Sequence, residues 1–334
     1  MAGMARKIDW ESQIGRRLRL RDLHVFFTVV QRGSMAKAAA QLGVSQPAVS
    51  EVIGGLEEAL GVRLLDRSAR GVEPTVYGQA LLKRSTIVFD ELKQSIRDME
   101  FLADPTVGDL RIGCVESLAS AVLPPVIERF SQQYPRVGVH VTDTITATLE
   151  VPELRERVLD LVLARIVGPL ASDEHDLNVE VLFDDYLVVV AGKHTPWANR
   201  PKIDLAELVN EPWILTPAPS WGDRLMTDTF RARGLEVPRS CVMTFSVHLR
   251  THLLTTGPFI TLLPSSVMRL HGDRFGLKVL PVDMPLRPWP VGIVTMKNRT
   301  LSPVAQSFIE HLRTSTSSMA AGLQPKHGKL ELCR

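Results

Sequence analysis

The chain has 334 residues, 45% hydrophobic and 23% charged, with a formal net charge of +2. That length suits two or three cored domains of an ordinary soluble protein. No apolar run is long enough to span a bilayer, and no signal-peptide core follows the basic start, which argues against a membrane role.

Cys114, Cys241 and Cys333 are odd in number, far apart and free of any C-x-x-C pairing. They point to a reducing, cytoplasmic setting and away from a structural metal. The net charge becomes informative once divided. Residues 1–84 carry more Lys and Arg than Asp and Glu, whereas residues 85–104 hold Asp90, Glu91, Asp98, Glu100 and Asp104. A basic head on a near-neutral body suits a DNA-reading end and a sensing end.

The first 19 residues form a basic arm. Arg6, Lys7, Arg16, Arg17 and Arg19, with Arg21 just beyond, face only Asp9 and Glu11. Two readings stay open: a segment that tracks phosphates, or a solvated leader. Leu23, Phe26, Phe27 and Val30 then make the apolar stripe of a first helix. Ser34 caps a second helix over residues 35–42, rich in Ala, and Gly43 ends it. Ser45 caps a third, with Pro47 in its first turn and Val49, Ile53, Leu56 and Leu60 as the buried stripe.

Gln46, Pro47, Ser50 and Glu51 fall on the outward side near the start of that third helix. An amide and a hydroxyl there can bond base edges, and the helix N-terminus favours phosphate. Residues 61–75 read as a hairpin wing carrying Arg67 and Arg70. Cap, turn, stripe and wing together are the layout of a helix-turn-helix whose second helix enters the major groove. The expected DNA-binding set is Ser34, Ser45, Gln46, Pro47, Ser50, Glu51, Arg67 and Arg70.

A long helix follows from Thr75, with Tyr77, Leu81, Val88, Leu92, Ile96, Met99 and Leu102 on one face, until Pro105 and Gly108 end it. Such a face needs a partner. A second copy is the simplest, with Leu81, Val88, Leu92, Ile96 and Met99 as dimerisation residues; packing onto its own body is the alternative.

From Asp109 strands and helices alternate, as in a doubly wound α/β domain. Strands are predicted at residues 110–114, 137–141, 159–164, 179–183, 186–192, 213–215, 259–263 and 291–296. Helices are predicted at 118–134, 149–158, 221–233, 247–255 and 303–313. The total fits two small lobes: 109–183 with 285–313, and 184–284. The polar tail, 314–334, reads as disordered.

Ligands of open α/β sheets sit beyond the carboxyl ends of the strands. That rule selects Ser117, Leu118 and Ala119, then Thr144 and Thr146, then Arg165, and in the second lobe Phe245 and Ser246. Hydroxyls at helix N-termini with Arg165 as counter-charge suit a small anionic effector. The alternative is that the hydroxyls only cap helices and Arg165 pairs with an internal acid.

Enzyme signals are weak. His248 and His252 have metal-ligand spacing but no third ligand and no adjacent general base. There is no G-x-S-x-G, P-loop or G-x-G-x-x-G. Asp184-Asp185 reads as a turn and cap. Neither a catalytic set, a metal nor a cofactor is expected, and the chain reads as a non-enzyme.

Taken in order, Ser45-Gln-Pro-Ala-Val-Ser50, Leu56-Glu57, Leu60-Gly-Val-Arg-Leu-Leu-Asp-Arg67 and residues 71–78 resemble the winged helix-turn-helix of LysR-type transcriptional regulators. The likeness covers residues 20–81 most sharply and extends to about residue 313. It implies a mixed α and α/β architecture: a winged helix-turn-helix at 20–81, a linker helix at 75–104 that makes an antiparallel dimer, and a two-lobed periplasmic-binding-protein type II-like effector domain at 109–313. It implies double-stranded DNA as partner and an effector pocket around Ser117, Thr146 and Arg165. Dimers pairing into tetramers and recruitment of RNA polymerase are implied too.

The sequence departs from that pattern where the family often has Arg and Gln, here Glu51 and Val52, and where it has basic residues, here Gly54 and Gly55. There is no Lys or Arg between Lys37 and Arg63. Either phosphate contacts come from elsewhere, or binding is weaker and more selective. The reading from another class is a cytosolic small-molecule-binding protein or enzyme whose helical head serves only oligomerisation.

Overall fold

The computed structural model describes residues 18–68, 71–144, 151–166, 176–284 and 288–321. Arg70, Thr146 and most of the basic arm lie outside that set. The chain divides into two compact units, Met1–Ser95 and Ile96–Arg334.

In the first unit, α1 (Leu20–Arg32), α2 (Met35–Leu42) and α3 (Gln46–Leu60) each end on a left-handed glycine. These are Gly33, Gly43 and Gly61, with φ of 61°, 66° and 69°. Positive φ is nearly free only for glycine, so each helix stops where the sequence places one. Ser34 accepts from the Lys37 N–H at 3.4 Å and Ser45 from the Ala48 N–H at 3.3 Å. Val25, Phe26, Val29, Ala38, Val49, Ile53 and Leu56 form the core. Phe27 and Val30, predicted to face inward, are only half-buried, and Val25 and Val29 take their place. The helix is rotated relative to the predicted stripe, and Phe27 meets Phe89 edge-on at 5.9 Å.

The wing is an antiparallel pair, β1 (Leu65–Ser68) and β2 (Gly71–Pro74). Glu57 Oε1 of α3 accepts from the N–H groups of Leu64 and Leu65 at 2.8 and 3.2 Å, fixing the wing to the third helix. α4 (Val76–Ala103) then runs 28 residues. Leu81 and Leu82 pack on the core of the head. Gly78 lies so close to the chain that a Cβ there would stand 2.0 Å from Leu64 O.

The second unit holds two five-stranded sheets. Lobe I uses β3 (Val107–Cys114), β4 (Arg136–Asp143), β5 (Leu161–Arg165), β6 (Leu177–Asp185) and β12 (Trp289–Met296), ordered β4-β3-β5-β12-β6. Lobe II uses β7 (Leu187–Gly192), β8 (Trp213–Leu215), β9 (Ser240–Met243), β10 (Ile260–Pro264) and β11 (Leu277–Val279), ordered β11-β7-β10-β8-β9. The chain enters lobe II between β6 and β7 and returns between β11 and β12, so each lobe's sheet mixes parallel with antiparallel pairs. Helices α5 (Glu116–Gln133) and α10 (Pro303–Ala321) cover lobe I. Helices α7 (Trp221–Ala232), α8 (Val247–Thr256) and α9 (Ser265–His271) belong to lobe II. One buried cluster joins Leu118, Val122 and Phe130 of lobe I with Val190, Leu254 and Val267 of lobe II.

Three expectations need correction. The helix predicted at 149–158 is a single turn, α6 (Pro152–Arg155), within the described residues. Arg157 stands at φ 62°, which no helix permits, and donates to Asn298 O at 3.1 Å. The polar tail from Thr314 is not disordered at its start, because α10 continues to Ala321. Thr314, Thr316 and Ser317 turn their hydroxyls onto preceding carbonyls, and Thr316 and Met319 are buried. Polar side chains hide a helix whose inner face is satisfied. Finally, β9, α9 and β11 have no counterpart among the predicted elements; each is short and lacks a clear period.

Candidate nucleic-acid interface and effector cleft

At the start of α3 the side chains of Gln46, Pro47 and Glu51 are exposed and Ser50 is half-exposed. Ser34 and Ser45 spend their oxygens on caps. Arg67, exposed on the wing, donates to Ser50 Oγ at 3.3 Å. That contact ties β1 to the outward face of α3, so wing and helix present one surface. In the first turn of α3 Pro47 has no N–H, and the N–H groups of Ala48 and Val49 donate to Ser45 Oγ and O at 3.3 and 3.2 Å, so side chains rather than the backbone form most of this surface. The surface combines an amide, a hydroxyl, a guanidinium and one carboxylate.

Along α4 the apolar face stays open. Val88 is 38% exposed, Leu92 42%, Ile96 57% and Met99 68%. Leu81 differs: it packs into the core of the head. The buried positions of the same helix include Ser85, Asp90 and Gln94, so its polar side faces in and its apolar side faces solvent. This inverts the usual arrangement of an amphipathic helix.

In the effector domain Arg165 and Ser117 meet at the carboxyl edge of lobe I, and Ser246 reaches Glu116, the neighbour of Ser117, from lobe II. Arg165 ends β5, and its Nη1 donates to Ser117 Oγ at 2.9 Å. Its Nη2 stands 3.8 Å from Asp185 Oδ2, within ion-pair range but beyond hydrogen-bond reach. Its guanidinium also lies over the Trp289 ring, 6.0 Å from the centroid. Burial lowers the pKa of Arg165, and Asp185 opposes that. Among the described residues, Arg165 Nε and Nη2 and the buried Thr144 Oγ1 have no hydrogen-bond partner. A guanidinium carries five donors and no acceptor, so these unused donors call for oxygen. Cys114, at the end of β3, has its thiol pushed up to about 12 by burial, although Arg165 pulls the other way. It is a neutral thiol and a poor nucleophile.

Asp185 is fully buried and accepts from the Tyr186 N–H at 2.9 Å, Ser265 Oγ at 2.8 Å, the Ser266 N–H at 3.1 Å and Ser266 Oγ at 2.7 Å. It caps α9, as expected, but Asp184 and Asp185 form no turn: they end β6, paired with Pro290 and Trp289 of β12. Leu118 does not line the cleft, because its side chain is buried in the shared core, and Ala119 packs against that core. Phe245 projects into solvent. Ser246 caps α8 by accepting from the Leu249 N–H at 3.2 Å.

Sequence reasoning did not select Glu116, although it precedes Ser117. Its carboxylate crosses to lobe II and accepts from the N–H groups of Val247 at 2.8 Å and His248 at 3.4 Å and from Ser246 Oγ at 3.4 Å. Arg250, two residues further on, is buried. It donates from Nε and Nη2 to Thr244 O and from Nη1 to Leu262 O. Burial lowers its pKa to about 10, and Glu116 works against that shift. His248 and His252 are exposed. Among the described residues no cluster of His, Cys, Asp and Glu could hold a metal ion, and no helix is long and apolar enough to cross a membrane.

The known proteins agree on one family. Residues 20–79 match the bacterial regulatory helix-turn-helix protein, lysR family, and residues 103–317 match the LysR substrate binding domain. The transcriptional dual regulator GltC of Bacillus subtilis is 30% identical, covering 88% of this chain and 96% of its own. HTH-type transcriptional regulator GbpR of Azospirillum brasilense is 26% identical over 90% of this chain and 88% of its own. Among solved structures, a full-length OxyR variant of Pseudomonas aeruginosa superposes with a TM-score of 0.61 at 22% identity, covering 92% of this chain and 99% of that one. With a helix-turn-helix head and a two-lobed α/β domain both matched, this chain belongs to the LysR family and is a DNA-binding transcriptional regulator.

Proposed function

We propose that the protein binds a dyad-symmetric operator as a dimer, and that a small anionic molecule between its lobes sets its output. The observation that carries the first half is the pairing of an open polar surface on α3 with an open apolar stripe on α4. Val88, Leu92, Ile96 and Met99 would meet their counterparts on a second copy, and two heads so joined would read half-sites about one helical turn apart. Gln46 and Ser50 would reach base edges, Glu51 would accept from a cytosine amine, and Arg67 would sit on phosphate. Arg70 and the N-terminal arm would add phosphate contacts. Pairing of dimers into tetramers and contact with RNA polymerase belong to the same reading.

The second half rests on Arg165. A buried guanidinium with two nitrogens unbonded, held by Ser117, favours a carboxylate or phosphate. Thr146 would join them. A ligand shifts the assembly only by binding one arrangement of it better.

Selection of binding sites from random duplex DNA at near-physiological salt tests the first half. A dyad-symmetric motif is expected, and its absence with and without candidate ligands would remove the operator reading. A thermal-shift screen of small organic acids and sugar phosphates tests the second. If only uncharged compounds raise the melting temperature, the anion reading is wrong.

A further inference from the structure

Two lobes that bind a ligand between them must part to admit it. In this chain something of its own already spans the gap. Glu116 sits in the first turn of α5, on lobe I, and its carboxylate is seated at the N-terminus of α8, on lobe II. A helix N-terminus carries unpaired N–H groups and a partial positive charge, so a carboxylate there is favoured twice over. Ser246 already supplies the local cap, but it serves the Leu249 N–H. The N–H groups of Val247 and His248 are left for Glu116, which reaches 131 and 132 residues along the chain to meet them.

The surroundings hold that seat in place. Arg250 fixes the preceding loop through Thr244 O and anchors α8 to β10 through Leu262 O. A second bond joins the lobes nearby, between His271 Nε2 of lobe II and Ser120 O of α5 at 2.9 Å. Just behind Glu116 on the same turn lies Ser117, which holds Arg165. The Arg165 side chain is only 13% exposed.

We propose that Glu116 is a latch between the lobes: a carboxylate carried by lobe I that caps the α8 N-terminus of lobe II and holds the cleft shut over Ser117 and Arg165. Whatever enters the cleft has to part these bonds first, so the latch sets how readily the domain opens. Its role as a gate rests on the effector reading above, whereas the latch itself holds with no ligand present and is tested without one.

The test uses the full-length protein in a Cys241→Ser, Cys333→Ser background, so that Cys114 is the one thiol. Amide hydrogen exchange at Val247 and His248, and the alkylation rate of Cys114, are compared for Glu116, Glu116→Gln and Glu116→Ala. In Glu116→Ala both amides are expected to exchange at least tenfold faster, and Cys114, buried at the cleft end of β3, to alkylate at least tenfold faster. The amides of residues 260–263 in β10 should not change. Glu116→Gln, which keeps an acceptor without the charge, should fall between. Unchanged exchange at Val247 and His248 would overturn the latch. So would faster exchange at both amides with Cys114 unmoved, since the contact would then be a cap that holds nothing shut. Uniform acceleration through β10 in both variants would make Glu116 a residue of fold stability, which also overturns it.

Discussion

The head and the effector domain treat their candidate residues in opposite ways. On α3, Gln46, Pro47 and Glu51 stand in solvent, and Ser50 accepts from Arg67 of the wing. In the effector domain several polar candidates already bond to the chain itself. Ser117 holds Arg165, Ser246 caps α8, and Asp185 takes up four donors. The difference follows from where each partner comes from. A DNA-reading surface meets a large, flat, hydrated partner and can wait open. A buried cleft cannot leave charges bare, because an unpaired buried polar group costs roughly 1–3 kcal/mol and a charge more. The effector domain therefore satisfies most of its buried polar groups itself, and Arg165 Nε and Nη2 with Thr144 Oγ1 stand out as atoms left without a hydrogen bond.

The strongest way to break this contrast is Asp185→Ala. It removes a buried acceptor from Ser265, Ser266 and Tyr186 and leaves Arg165 without its counter-charge. A loss of about 3–5 kcal/mol is expected, read as a lower denaturant midpoint, because breaking a buried pair strands the other charge. The site preference of the head, measured in the same preparation, should survive. A loss under about 1 kcal/mol would mean that the lobe crossing does not depend on Asp185.

Gln46→Ala probes the open side of the comparison. The residue is exposed, so stability should change by no more than about 0.5 kcal/mol. DNA recognition should lose about 1–3 kcal/mol of discrimination at one base per half-site. Equal weakening on all sequences would reassign Gln46 to phosphate contact. Ser50→Ala would add a second signature by freeing Arg67 from α3.

How far the sequence could be read follows the same divide. The head was legible because its signals are local: Ser34, Gly43, Ser45 and Pro47 lie within fourteen positions and each fixes one helix end. The strand pattern puts the lobe crossing near Phe183-Asp184, and the chain crosses just beyond, where β6 ends at Asp185 and β7 begins at Leu187. Leu118 was misplaced because a position at the end of a strand does not say which way a helical side chain turns, and this one turns into the shared core. Glu116 was missed for a stronger reason. Its partners Val247 and His248 are backbone groups over a hundred residues away, and a backbone N–H leaves no letter in the sequence. The run of α10 past Thr314 was hidden because its hydroxyls bond to their own helix.

The smallest expected effect concerns Gly54 and Gly55, the departures in the third helix. Both are exposed, neither has a left-handed φ, and a Cβ at either would meet nothing within 4 Å. Geometry does not require glycine there, in contrast to Gly78, where a Cβ would strike Leu64 O. Alanine at position 54 or 55 should therefore stabilise the protein by about 0.5–1 kcal/mol each, through the lower entropy of the unfolded chain. Chemical denaturation of the two single variants measures this. The informative result is what happens to DNA binding in the same proteins. If stability rises and operator affinity is unchanged, the glycines are neutral and the head is simply less stable than it could be. If stability rises and affinity falls, the missing side chains leave room for something to approach α3 closely, and the open surface extends beyond Gln46, Ser50 and Glu51 to the middle of that helix.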